Sequence, residues 1–167
     1  MDGLTVRAAE DADRARIVDL LTRSWGSTIV VAHGVRYDAA HLSAFLAERR
    51  GRLAGLLTYA IGSAGFEVVS LDAVVRREGT GTALMDAAAD AARKLGLDRV
   101  WLVTTNDNLD GLRFYQRLGM RITGVNAGAV DESRKVKPGI PLVGDYGIEI
   151  HDEIILEWRP PRRGSRR

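Results

Sequence analysis

The residues of this chain best suited to chemistry lie in Leu71-Asp72-Ala73-Val74-Val75-Arg76-Arg77-Glu78-Gly79-Thr80-Gly81-Thr82-Ala83-Leu84, where an apolar run ends in two arginines and two closely spaced glycines. That chemistry is anion binding. An alanine-rich helical pattern begins directly after the glycines, so the stretch reads as a strand, a tight turn and a helix N-terminus. The first amide N–H groups of a helix lack internal partners, and the summed peptide dipoles leave about half a positive charge there, which suits phosphate oxygens. Gly79 and Gly81 have no Cβ, so the backbone is free to take positive φ and a ligand can touch the main chain. Arg76 and Arg77 add donors for phosphate.

Three phosphate-binding patterns compete for these residues. A Walker loop ends in Gly-Lys-Ser/Thr, a tripeptide this chain lacks, and the dinucleotide fingerprint needs a third glycine where Leu84 stands. The pattern Arg/Gln-x-x-Gly-x-Gly/Ala is met by Arg76, Gly79 and Gly81, and here the stretch resembles the acetyl-CoA pyrophosphate loop of the GNAT superfamily of N-acetyltransferases. A plain strand-to-helix turn that needs glycine for geometry fits the same residues, so a second motif has to decide. It is found in Asn108-Leu109-Asp110-Gly111-Leu112-Arg113-Phe114-Tyr115-Gln116-Arg117-Leu118-Gly119-Met120, which resembles that superfamily's Asn-x-x-Ala-x-x-Phe-Tyr-x-x-x-Gly-Phe. Asn108, Phe114, Tyr115 and Gly119 match. Gly111 replaces the usual alanine, weakening the helix by about 1 kcal/mol, and Met120 keeps an apolar plug.

The resemblance implies an acyl-CoA N-acyltransferase (GNAT) fold with acetyl-CoA as co-substrate. It further implies that the amides from Arg77 to Thr82, those of Gly79, Thr80 and Gly81 among them, bind pyrophosphate, and that the main chain of the strand near Val69 to Leu71 pairs with the pantetheine arm like an added strand. Asn108 would bond that arm, and Tyr115 would protonate the departing CoA thiolate as general acid. In that superfamily a primary amine attacks the thioester directly within a ternary complex. The amine must be neutral to do so. At pH 7 a lysine-like amine of pKa about 10.4 is neutral in only about one molecule in 2,500, which costs roughly 4.6 kcal/mol, whereas an α-amino group of pKa about 8 costs roughly 1.4. A lysine or polyamine acceptor therefore needs a general base more than a peptide N-terminus does. Glu67, in strand parity with Val69 and Leu71, is the candidate, with Asp72, Glu149 and a water chain as competitors. Trp25, His33 and Tyr37 fall where this fold builds its acceptor pocket. His33, His41 and His151 lack metal-ligand spacing, and no metal is expected.

Positioning these groups requires a mixed α/β architecture. Leu4, Val6 and Ala8 alternate as a first strand, and Asp11 or Asp13 caps a helix over 12–23 with Ile17, Leu20 and Leu21 on one face. Thr28 to Ala32 is β-like, Gly34 interrupts it, and Asp38 starts a short helix. Residues 44–48 and 53–61 form a hairpin around Arg49-Arg50-Gly51-Arg52, and a turn at Gly62 to Gly65 leads into a strand over 66–75. A helix over 80–95 follows, with Leu84, Ala87, Ala88, Ala91 and Leu95 as its buried stripe and Gly96 as its C-terminal stop. Then come a central strand over 99–105, a helix capped by Asn108 and stopped by Gly119, and strands over 120–125 and 153–158. The result is an antiparallel meander feeding a parallel crossover. It gives a mostly antiparallel central sheet of about seven strands with helices on both faces. Residues 126–152 are too long for a hairpin loop and carry Pro138, Pro141 and several apolar side chains. They are expected to form an ordered flap near the acceptor or a homodimer contact.

Bulk properties narrow the class. The 167 residues suit one domain over 1–159, and 46% hydrophobic with 28% charged residues reads as soluble and globular. There is no cysteine, which excludes disulfides and an acyl-cysteine intermediate and agrees with the cytoplasm. No apolar run approaches about 18 residues and no leader pattern opens the chain, so a membrane location is not expected. Five arginines in the last nine residues account for the basic balance, since without them the net charge goes from +2 to −3. The segment 160–167 thus reads as a solvated, disordered tail rather than a nucleic-acid arm. The alternatives to an enzyme for small amines are a protein or peptide N-acetyltransferase and a non-catalytic acyl-CoA-binding module.

Overall fold

The computed structural model describes residues 3–159, so the basic tail lies outside the described residues. The elements run β1 (Leu4–Ala8), α1 (Arg14–Trp25), β2 (Ile29–Ala32), β3 (Val35–Asp38), β4 (Ser43–Arg49), β5 (Arg52–Gly62), β6 (Gly65–Ala73), α2 (Thr80–Lys94), β7 (Val100–Thr105), α3 (Leu109–Arg117), β8 (Arg121–Asn126), α4 (Ala129–Val136) and β9 (Glu153–Trp158). Seven strands make one mixed, mostly antiparallel sheet in the order β1-β4-β5-β6-β7-β9-β8, and β2 with β3 makes a separate ribbon. This is the expected fold with two additions, β3 and α4. The chain divides into two compact units, one of residues up to Val30 with Tyr37–Val100, the other of Val31–Arg36 with Trp101–Arg159.

In the first unit, β1, β4, β5 and β6 pair antiparallel in that order, with Leu46 opposite Leu56 and Leu56 opposite Asp72. Side chains alternate across a sheet, so this register sorts them by face. Ala44, Leu46 and Leu56 meet Ile17, Leu20 and Leu21 of α1 and Ala39 and Ala40 of a short 3₁₀ turn, forming one core cluster. On the opposite face Gly55 lies against Thr80 and Leu84 of α2. Helices therefore cover both faces, as expected.

Two boundaries and one buried stripe differ from expectation, each for a local reason. The first helix begins at Arg14 behind a 3₁₀ turn at Asp11–Asp13, because the Asp13 carboxylate accepts from the Glu10 amide (2.8 Å) and from both terminal nitrogens of Arg7 (2.7 and 2.8 Å). The buried stripe of α2 is Leu84, Met85, Ala88, Ala89 and Ala92, and Leu95 is 58% exposed. Thr80 and Leu84, seated at Gly55, turn the helix so that Met85 faces inward, and Leu95 is already past the last helical residue. β6 ends at Ala73; the Val74 amide still donates to Ala54 (2.8 Å), but Val74 and Val75 are each 53% exposed.

The Arg7–Asp13 pair extends to Glu48, which accepts from Arg16 at 2.8 Å and Arg7 at 3.3 Å. Arg7, and then the Glu10 amide, hold the Asp13 carboxyl well below the usual carboxylate range; Arg7 and Arg16 lower Glu48 likewise. A carboxyl depressed in the folded state contributes stability that is present above its unfolded value and lost as pH falls below about 4. Asp13→Asn is therefore expected to lower the urea midpoint at pH 7, with the gap to the unsubstituted chain narrowing toward pH 3. An equal gap at both values would remove Asp13 from the acid response.

Candidate active site

The glycine bend lies wholly in the first unit. Arg77 (φ 65°) and Gly79 (φ 78°) both adopt the left-handed region, and Gly79 is the N-cap of α2. Glycine takes that conformation freely; at arginine it costs about 1–2 kcal/mol, so neighbouring contacts must impose it. Arg49 supplies them: its guanidinium bonds the Glu78 carboxylate and, at 3.0 Å, the Glu78 carbonyl. The first bond of the helical ladder is Ala83 N–H to Gly79 O (3.0 Å), so the amides of Thr80, Gly81 and Thr82 precede it and face outward from the helix end. Gly81 is a helical residue without positive φ, so it matters here for access to its main chain and not for left-handed geometry. The Thr80 side chain is buried against Gly55.

The strand leading to the bend is not regular. Thr58 pairs with Ser70 and Tyr59 with Val68, so Val69 is the extra residue of a β-bulge. The bulge corrects the expected parity. Glu67, opposite Ala60, shares its face with Ser70 and Asp72, while Val68 and Leu71 point to the α2 side. A polar row results on the α1 face. Thr58 and Ser70 hydroxyls share a 2.6 Å hydrogen bond, the Tyr37 hydroxyl donates to Glu67 Oε2 at 2.6 Å, and Trp25 Nε1 donates to Asp72 Oδ2 at 2.7 Å. Glu67 is 5% exposed. Burial, and then the Glu67 carboxylate, push the Tyr37 hydroxyl well above the ordinary phenol value; burial raises the Asp72 carboxyl against the donors Trp25 and Ser24. Trp25 and Tyr37, singled out as acceptor contacts, thus sit on two of the three carboxylates considered as bases.

In the second unit the residues of the other motif cluster around α3. Asn108 caps the helix: its Oδ1 accepts the Gly111 amide (3.0 Å) and its Nδ2 donates to Thr104 Oγ1 (2.8 Å). Each side-chain amide has two donors and two acceptor positions, so among the described residues one N–H and one lone pair of the Asn108 amide have no further bond. A Cβ at residue 111 would overlap the Asn108 amide, which explains why glycine stands there. Tyr115 is partly buried, with its ring edge-on to Phe114 at 5.3 Å. The His33 ring lies 5.0 Å from that of Trp101, and its amide donates to both Glu153 carboxylate oxygens at 3.1 Å.

The 126–152 segment is ordered. It contains α4, with Asp131 and Glu132 in its first turn and Arg134 and Lys135 in its last, the arrangement the helix dipole favours. Arg134 ties the segment together, bonding Asp131 and the carbonyls of Pro141 and Ile150. Two residues next to the cap hold it on α3: Asn106 accepts the amides of His151 and Asp152 and donates to the Glu149 carbonyl, while Asp107 accepts the Asp145 amide. Glu149 and Asp131 flank the exposed His151, whose imidazole they raise above its ordinary value, Asp131 first. Sequence reasoning passed over Arg49, Asn106 and Asp107; their only local signal was position, one in a hairpin turn and two before a helix cap. Among the described residues no group of three or more His, Cys, Asp or Glu is arranged to hold a metal, and no helix is long and apolar enough to cross a membrane.

Residues 14–120 match the model of the acetyltransferase (GNAT) family. The chain is 37% identical over 135 residues to the uncharacterised protein YxbD of Bacillus subtilis (strain 168), covering 80% of this chain and 85% of that one. Among solved structures, a Bacillus subtilis acetyltransferase in complex with CoA superposes with a TM-score of 0.68 at 18% identity, covering 95% of this chain and 99% of that one. A GNAT family acetyltransferase from Elizabethkingia anophelis with acetyl-CoA bound does so with a TM-score of 0.68 at 18% identity, covering 96% and 100%.

Proposed function

Since this chain belongs to the acetyltransferase (GNAT) family, we propose that it is a cytoplasmic N-acetyltransferase that moves the acetyl group of acetyl-CoA to a small primary amine by direct attack in a ternary complex. The observation that carries this reading is the bend itself: a left-handed Gly79 cap places three amides ahead of the α2 ladder, at the residues where the diphosphate pattern falls. In this reading those amides hold the diphosphate, the main chain around the Val69 bulge and the remaining donor of Asn108 hold the pantetheine arm, and Tyr115 donates to the leaving sulfur. Glu67 takes the proton of the attacking amine; its contact with the Tyr37 hydroxyl keeps the carboxylate oriented as an acceptor. The polar row that includes Glu67 and Asp72 supplies negative charge for a cationic acceptor, which favours an amine that is protonated in solution.

The test is release of CoA thiol from acetyl-CoA across a panel of amines, from α-amino groups to polyamines, with Glu67→Gln run beside the unsubstituted chain. Amine-dependent release, with a slower and pH-altered reaction in Glu67→Gln, is the expected outcome. Binding of acetyl-CoA without release for any amine would leave an acyl-CoA-binding module, and release that responds only to peptides would move the acceptor to a protein or peptide N-terminus. An unchanged pH profile in the variant would remove Glu67 from the reaction.

A further inference from the structure

We infer that the cavity between the β4–β5 turn and the glycine bend is a second anion subsite, and that it takes the ribose 3′-phosphate of coenzyme A. The inference rests on the acetyl-CoA reading and adds to it a part of the ligand that none of the groups above contacts. The cavity has a volume of about 840 Å³, and its walls include Arg49, Arg50, Arg52, Glu78 and Thr80. Two of these, Glu78 and Thr80, flank the cap that the diphosphate reading uses, so an occupant of the cavity is a near neighbour of the diphosphate. On coenzyme A the 3′-phosphate is carried by the nucleoside directly attached to that diphosphate. Val74, Val75 and Leu53 add an apolar wall suited to a purine.

The charge balance is what singles the cavity out. Three arginines face one glutamate, a surplus of two positive charges, and a phosphomonoester carries about −1.5 to −2 at pH 7. Arg49 is committed to Glu78, but among the described residues the guanidinium groups of Arg50 and Arg52 make no hydrogen bond or ion pair. The fold holds these cations close together at a disadvantage. Arg49 and Arg52 are directly opposed across the ladder, where like charges repel. Arg50 (φ 51°) occupies the first left-handed position of a two-residue turn with Gly51 (φ 74°), a place that asparagine or glycine fills with less strain. An arginine in a strained turn position, beside a second uncommitted arginine and a cavity, is accounted for by a phosphate that both can grip through charge-assisted hydrogen bonds.

Titration calorimetry with CoA and with 3′-dephospho-CoA tests this without requiring turnover. The unsubstituted chain is expected to bind CoA about tenfold or more tightly than dephospho-CoA, and Arg50→Ala/Arg52→Ala is expected to bind the two alike, at the weaker value. Both side chains are exposed and unbonded, so the double variant should melt with the unsubstituted chain; Arg50→Lys/Arg52→Lys, which keeps the charge, should regain part of the discrimination. Competition by 3′,5′-ADP but not by inorganic phosphate at equal concentration would place the grip on the nucleotide phosphate and not on any free anion. Equal affinities in the unsubstituted chain, or discrimination that survives in the alanine variant, would overturn the subsite. Discrimination without any acetyl transfer would instead sink the transferase reading and leave the subsite standing.

Discussion

Tyr115→Phe is expected to slow acetyl transfer by about 10²-fold while leaving the affinity for acetyl-CoA close to that of the unsubstituted chain. The expulsion of CoA develops negative charge on sulfur, and a hydroxyl aimed at that atom helps only as the charge forms. Such a group acts on kcat and not on ground-state binding. A factor of 10² corresponds to about 2.7 kcal/mol, within reach of one hydrogen bond to a developing anion. A purely structural tyrosine predicts a different result. The ring packs edge-on against Phe114, and the Tyr115 carbonyl accepts the amides of Leu118 (3.2 Å) and Met120 (3.0 Å) where α3 ends. Phenylalanine keeps the ring and the carbonyl, so a role confined to these two would leave kcat unchanged. A kcat within twofold of the unsubstituted value would take Tyr115 out of the reaction.

What the sequence made legible here is what short-range physics decides. The bend and the Asn108 cap are each specified within about a dozen consecutive residues, by glycine freedom, capping chemistry and helical periodicity, and the structure contains both where expected. What escaped depends on residues brought together from afar. The bulge at Val69 adds one residue to β6 and moves Glu67 onto the face of Ser70 and Asp72, an outcome that alternation alone reads wrongly. Arg49, read only as part of a turn, reaches Glu78 across 29 positions. The 126–152 segment looked like a loop because α4 buries only Val130 and Ser133, too few for a periodic signal. Its order comes from Asn106 and Asp107 instead, and Gly144 is glycine because a Cβ there would overlap the Asp107 carboxylate. Even the expected stripe of α2 failed at Leu95, since periodicity fixes the spacing of a helical face but not its rotation; that was set by one glycine on a neighbouring strand.

That glycine gives the other large expected effect. Gly55→Val should lower the stability of the chain by about 3 kcal/mol or more, seen as a lower urea midpoint at unchanged slope, and should raise the KM for acetyl-CoA in whatever fraction stays folded. A Cβ at residue 55 would lie 2.6 Å from Thr80 Cγ2, 2.7 Å from the Asp72 carbonyl oxygen and 3.0 Å from Leu84 Cδ1. None of these can yield cheaply. The Asp72 carbonyl belongs to the strand paired with β5, Leu84 is fully buried, and Thr80 is the first residue of α2. Relief therefore requires lifting the N-terminus of α2 from the sheet, which moves the amides that the diphosphate reading depends on. Residue 55 is ordinary strand backbone without positive φ, so the effect is one of space and not of backbone strain. Gly62→Ala is the matched control: it lies in the same strand, has nothing within 4 Å of its Cβ position, and is expected to be neutral or slightly stabilising. If Gly55→Val melted with Gly62→Ala, the close seating of α2 on β5 would be wrong, and with it the account of how the fold holds the bend in place.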